Sequence, residues 1–141
     1  MKPVFPLRVA SVLTFIHTVL HTVGGVFGKT PPSPATIVVL AMKSNPFVAM
    51  GANRTLWDFY HGMGLAASIA LTAEAVVFWR LSSLAKTFGL QLRPIFATFL
   101  LAYLALAVDS TLYFFFAPVI VEGLIAACFL WAIIAAKPTA A

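Results

Sequence analysis

The sequence predicts an all-α fold: an integral membrane four-helix bundle with a short interfacial helix between helices 1 and 2. Three observations predict it. Of the 141 residues, 62% are apolar and 9% charged, whereas a soluble domain carries about a quarter charged residues. Mean hydropathy is +1.01. Four segments, near 6–27, 55–81, 94–116 and 118–136, each supply the roughly twenty apolar residues that a helix needs to cross the hydrocarbon core.

The elements follow in order. Pro6, Pro94 and Pro118 sit where a first helical turn tolerates a missing N–H, and Asn53 is a good capping residue ahead of the second span. Lys2 and Arg8 before an apolar run that ends at Gly24 and Gly25 have the outline of a signal peptide. No small-x-small cleavage site precedes a polar domain, so this run is expected to stay as the first span. The connection 28–54 is too long for a plain linker. After the cluster Pro31, Pro32, Pro34, the run Thr36 to Met42 is apolar but too short to span, and Ser33 followed by Pro34 reads as a helix start. A short helix in the outer interface is expected there, as an anchor or a lid, with Asn45 to Ala52 as a return segment. All 141 residues are read as one four-span domain.

Charge sets orientation. With the N-terminus inside, Lys2, Arg8, Arg80, Lys86, Arg93 and Lys137 fall on the cytoplasmic side and Lys29, Lys43 and Arg54 outside, six against three. That favours the cytoplasmic membrane with both termini cytoplasmic. The connection 80–93 is then internal, and a tight turn near Ala117 and Pro118 external. A single Cys128 excludes a disulfide scaffold, and nine scattered basic residues do not make a nucleic-acid surface.

Ionisable side chains within a span cost about 2.5–3.5 kcal/mol each on insertion scales, and this chain has seven: His17, His21, Asp58, His61, Glu74, Asp109 and Glu122. Alternating helix direction puts His21 and His61 at one depth, about 9 Å below the outer surface. All except Glu74 are expected in one layer of the outer half. His17 and His21 share a helical face, as do Arg54, Asp58, His61, Leu65, Ser68 and Thr72, a stripe expected to point inward. Gly62, Ala66 and Ala70, and Gly123 with Ala127, allow close helix packing and leave self-association open.

Histidine beside a carboxylate in a low-dielectric pocket suits proton transfer near neutral pH. The candidate catalytic residues are therefore His21, Asp58, His61 and Asp109. His17, Arg54, Trp57, Tyr60, Tyr113 and Glu122 are candidates for binding a membrane lipid or a lipid-soluble or amphipathic small molecule. Arg54 and Asp58, one turn apart, are expected to pair at the pocket mouth. No metal set and no cofactor is assigned: His-x-x-x-His and Asp-x-x-His only partly match a di-iron bundle, and Arg54 would compete for the carboxylate of Asp58. A haem or metal redox subunit ranks third, behind a non-catalytic subunit whose buried polar network sets helix register. Glu74, alone in the inner half, is expected to be protonated and to donate to a neighbouring helix or across an oligomer interface.

The runs Asn53-Arg-Thr-Leu-Trp-Asp-Phe-Tyr-His-Gly-Met-Gly64, His21-Thr-Val-Gly-Gly25 and Tyr113-Phe-Phe-Phe-Ala-Pro118 resemble a family of small, uncharacterised bacterial four-helix membrane proteins. His21, Gly24, Arg54, Trp57, Asp58, Gly62 and Gly64 carry the resemblance. It implies architecture and an important residue layer, not a reaction. The layout alone is similar to the sterol isomerase and sigma-2 receptor group.

Overall fold

A computed structural model describes residues 3–29 and 31–136; Lys2 and Lys137, which count towards orientation, lie outside the described residues. In order come α1 (Val4–Leu20), a π-helical turn (His21–Val26), α2 (Pro34–Ser44), β1 (Pro46–Ala49), β2 (Ala52–Thr55), α3 (Leu56–Phe88), α4 (Arg93–Tyr113) and α5 (Phe116–Ala135). Among the described residues, four helices are long and apolar enough to cross a membrane: Val4–Val26, Leu56–Phe88, Arg93–Tyr113 and Phe116–Ala135. The all-α prediction holds among the described residues apart from one β-hairpin.

Two boundaries differ from the sequence expectation. The second span runs on to Phe88 because Leu81, Ser82 and Ala85 continue its buried face past Arg80. The last turn lies at Phe114 and Phe115, before Ala117 and Pro118. Pro118 is the third residue of α5, still within the turn whose N–H groups have no intrahelical acceptor.

The chain forms two compact units, Met1–His17 with Leu71–Ala141, and Thr18–Ala70. In the larger unit, each helix contributes a stripe at three-and-four spacing: Leu7, Ala10, Ser11 and Thr14 from α1, Ala75, Phe78, Ser82 and Ala85 from α3, and Ile125, Ala126, Phe129 and Ala132 from α5. Helix α4 adds Phe96, Tyr103 and Ser110 at seven-residue intervals. The centre is aromatic. Phe78 meets Phe99 and Phe129 edge-on, each at 4.8 Å between centroids, and Phe99 stacks on Phe129 at 5.4 Å. Such pairs add about 0.5–1.5 kcal/mol each beyond burial. Helices α4 and α5 run antiparallel: Ser110 meets Glu122 near one end, and Arg93 Nε donates to the Ile133 carbonyl at 3.1 Å near the other.

The 18–70 unit is built differently. Helix α2 starts with a capping box between Ser33 and Thr36 and buries none of its residues. The two strands pair antiparallel from Pro46 opposite Thr55 to Ala49 opposite Ala52. Met50 and Gly51 between them both have positive φ, 49° and 84°, as a two-residue hairpin turn of primed type requires. The return segment expected over Asn45 to Ala52 is one strand and the turn of a hairpin that runs on to Thr55, and Phe47 stacks on Phe59 of α3 at 5.9 Å.

Candidate functional site

The 18–70 unit contains His21, Arg54, Trp57, Asp58, Tyr60 and His61, of which Trp57 packs on Tyr60 and His61. It starts from the π-helical turn His-Thr-Val-Gly-Gly-Val, closed by Phe27 N–H donating to the Thr22 carbonyl at 3.0 Å. Such turns widen a helix and recur at functional sites. Glycine permits this one: a Cβ on Gly28 would lie 1.9 Å from the Gly24 carbonyl oxygen. On α3, a Cβ on Gly64 would lie 3.0 Å from Val26 Cγ2. That small residue lets the end of the first span approach α3.

At this approach His21 Nε2 lies 3.1 Å from the Gly64 carbonyl oxygen. A carbonyl only accepts, so Nε2 carries the hydrogen and, in the neutral ring, Nδ1 keeps the lone pair. The Gly64 carbonyl also accepts from Ser68 Oγ at 3.1 Å, and Thr22 Oγ1 lies 2.9 Å from Ser68 Oγ. His61, three residues before Gly64, is half-buried. Its ring is edge-on to Phe27 at 5.6 Å and stacks on Trp57 at 6.0 Å, and neither ring nitrogen has a hydrogen-bond partner among the described residues. Tyr60 packs on Trp57 at 5.6 Å. Both histidines therefore lie along one face of the first turns of α3.

The expected Arg54–Asp58 pair does not form. Asp58 Oδ2 accepts from the Thr55 N–H at 2.7 Å and its hydroxyl at 3.0 Å, and the Asp58 N–H returns to Thr55 Oγ1 at 3.2 Å. This capping box makes Thr55, not Asn53, the residue that starts α3. Arg54 donates to the Asn53 carbonyl at 2.8 Å. The inward stripe is shorter than expected as well: His61 and Leu65 are half-buried and Ser68 buried, while Asp58 and Thr72 are exposed.

The other candidates belong to the larger unit. His17 is half-buried; Asp109 and Tyr113 are exposed. Glu122 is 5% exposed, and its Oε1 accepts from Ser110 Oγ at 3.1 Å. It is a core residue, not part of a ligand-binding surface. Glu74 finds its partner on a neighbouring helix, with the Tyr103 hydroxyl donating to Oε2 at 2.6 Å. Ser11 Oγ donates to the Ala75 carbonyl at 2.6 Å. Tyr103 and Ser110 escaped the sequence analysis because a hydroxyl within a span is common and cheap. Their seven-residue spacing with Phe96 marks that face in retrospect.

No three or more His, Cys, Asp or Glu side chains among the described residues are grouped to hold a metal ion. No protein-family model, curated protein or solved structure matches this chain.

Proposed function

We propose that this is a cytoplasmic-membrane protein with both termini inside, and that its 18–70 unit binds a lipid-soluble or amphipathic small molecule and moves a proton on it. One observation carries the reading: His21 Nε2–H is committed to the Gly64 carbonyl, which leaves Nδ1 as a base, with the His61 ring on the same face of α3. Trp57, Tyr60 and Phe27 supply the apolar wall. An imidazole whose tautomer is set by its second nitrogen is suited to proton transfer near neutral pH. Kinship with the bacterial four-helix family belongs to the same proposal and rests on His21, Gly24, Arg54, Trp57, Asp58, Gly62 and Gly64.

The test is lipid mass spectrometry of the purified chain together with its His21→Gln variant. The wild type should retain an amphiphile that the variant loses, with no change in melting beyond about 1 kcal/mol for one hydrogen bond. Equal retention by both overturns the reading. Orientation is tested by a cysteine at Ser33 in a Cys128→Ala background, which an impermeant reagent should label in intact cells. Labelling only after permeabilisation reverses the topology.

A second reading, a non-catalytic subunit held in register by polar contacts, is favoured by the bonds Ser11 to Ala75, Tyr103 to Glu74, Ser110 to Glu122 and Arg93 to Ile133. It predicts a stable partner protein in pull-downs and no retained amphiphile. Metal analysis and an absorption spectrum of the same sample address the haem or metal reading.

A further inference from the structure

We propose that the end of α2 and the start of α3 form a binding site for an anionic, phosphate-bearing group, with Lys43 and Arg54 as its cations and Trp57 as its platform. The inference rests on the reading of the 18–70 unit as the ligand-binding part and names the headgroup chemistry of its ligand.

Lys43 stands in the last turn of α2, where the helix carbonyls favour a cation. Asn45 Nδ2 closes that end by donating to the Ala41 carbonyl at 2.7 Å. The Lys43 ammonium lies 4.2 Å from the Trp57 ring centroid. A cation–π contact engages one side of the ammonium and leaves N–H bonds on the other side free for an anion. Arg54 is set on β2 opposite Phe47, whose ring stacks on α3. One of its five N–H donors serves the Asn53 carbonyl. The rest have no partner among the described residues.

The charge balance supports an anion. Residues 18–70 contain Lys29, Lys43 and Arg54 against a single acid, Asp58. Asp58 lies within electrostatic reach of Arg54, yet its carboxylate is hydrogen-bonded to Thr55 and not to Arg54. Neither Lys43 nor Arg54 forms an ion pair with a protein acid among the described residues. An ammonium over the Trp57 ring and a guanidinium on the strand that precedes α3, with no acid bonded to either among the described residues, match a phosphate group above an apolar tail: Arg forks a phosphate and Lys supplies a point charge, and Trp and Tyr favour the headgroup level.

The full-length protein is tested in nanodiscs that mix phosphatidylglycerol with phosphatidylcholine, and separately with inorganic phosphate. The wild type should enrich phosphatidylglycerol among its retained lipids. K43Q/R54Q should lower that enrichment about tenfold, K43R should keep it, and K29Q, which removes a cation from outside the cluster, should change it little. Competition by millimolar inorganic phosphate would assign the site to free phosphate; its failure to compete would assign it to a lipid headgroup. Equal enrichment by wild type and K43Q/R54Q, or an equal loss in K29Q, overturns the site. If K43Q/R54Q still retains an amphiphile that H21Q loses, the headgroup assignment fails alone. If H21Q loses nothing, the parent reading fails.

Discussion

The two units use polar side chains in opposite ways. In the larger unit, Tyr103, Glu74, Ser110, Glu122 and Arg93 bond one another or a backbone carbonyl around a packed aromatic centre. In the 18–70 unit, His61, Lys43 and Arg54 keep donors or lone pairs without partners among the described residues, and α2 buries none of its residues. A polar group bonded inside an apolar core specifies packing. One held in place by ring contacts, with its nitrogens uncommitted, is left to meet something else. The difference teaches that intramembrane charge is a pointer to function only after its partners are known: Glu74, as costly by composition as His61, is bonded to Tyr103, and Glu122 is bonded to Ser110 through one oxygen while its other oxygen is buried without a partner among the described residues.

The comparison breaks first at Phe129, which is fully buried and touches Phe78, Phe96, Phe99 and Tyr103. Phe129→Ala should destabilise by about 3–5 kcal/mol, measured by unfolding in mixed micelles, while amphiphile retention per folded molecule stays as in the wild type. A loss of retention without a loss of stability would move the site into the larger unit.

Next in size is Gly28→Ala. Its methyl cannot fit against the Gly24 carbonyl, so the π-helical turn must rearrange, at about 1–3 kcal/mol. Hydrogen exchange should rise at residues 21–28 and not on α5. Unchanged exchange would mean that the turn does not depend on glycine there.

Tyr103→Phe should cost about 1–2 kcal/mol, and a double-mutant cycle with Glu74→Gln should recover most of it as coupling. Additive effects would show that the hydroxyl and the carboxyl act independently. Thr55→Ala, which removes the cap of α3, should cost about 1 kcal/mol. Arg54→Gln should leave melting within about 0.5 kcal/mol, because Asp58 is bonded to Thr55. A larger loss would restore the Arg54–Asp58 pair that the sequence suggests.

Much was legible from composition and periodicity. The four apolar runs and the short helix beginning after Ser33 follow from hydropathy and helix-start signals; the packed face of α5 did not, since Gly123 and Ala127, the small residues expected to pack closely, are exposed and Ile125, Ala126, Phe129 and Ala132 are buried. Boundaries were less legible: Arg80 and Lys86 read as a loop, yet the buried face of α3 continues between them through Leu81, Ser82 and Ala85. The Met50-Gly51 hairpin was not legible, since Met rarely adopts positive φ. The ring contacts of Phe47 with Phe59 and of Lys43 with Trp57 join this segment to α3.

The sequence by itself determined that there would be four long apolar helices, where the acids and histidines fall along them, and which faces carry small residues. These depend on covalent order and helical pitch alone. Only the tertiary structure decided the partners: Thr55 rather than Arg54 for Asp58, Tyr103 for Glu74, Ser110 for Glu122, and the Gly64 carbonyl for His21. The physical reason is that a hydrogen bond requires heavy atoms within about 3 Å. Helical spacing sets the rise and angle of a residue on its own axis, but the approach of a second helix is set by packing at residues such as Gly64 and Val26.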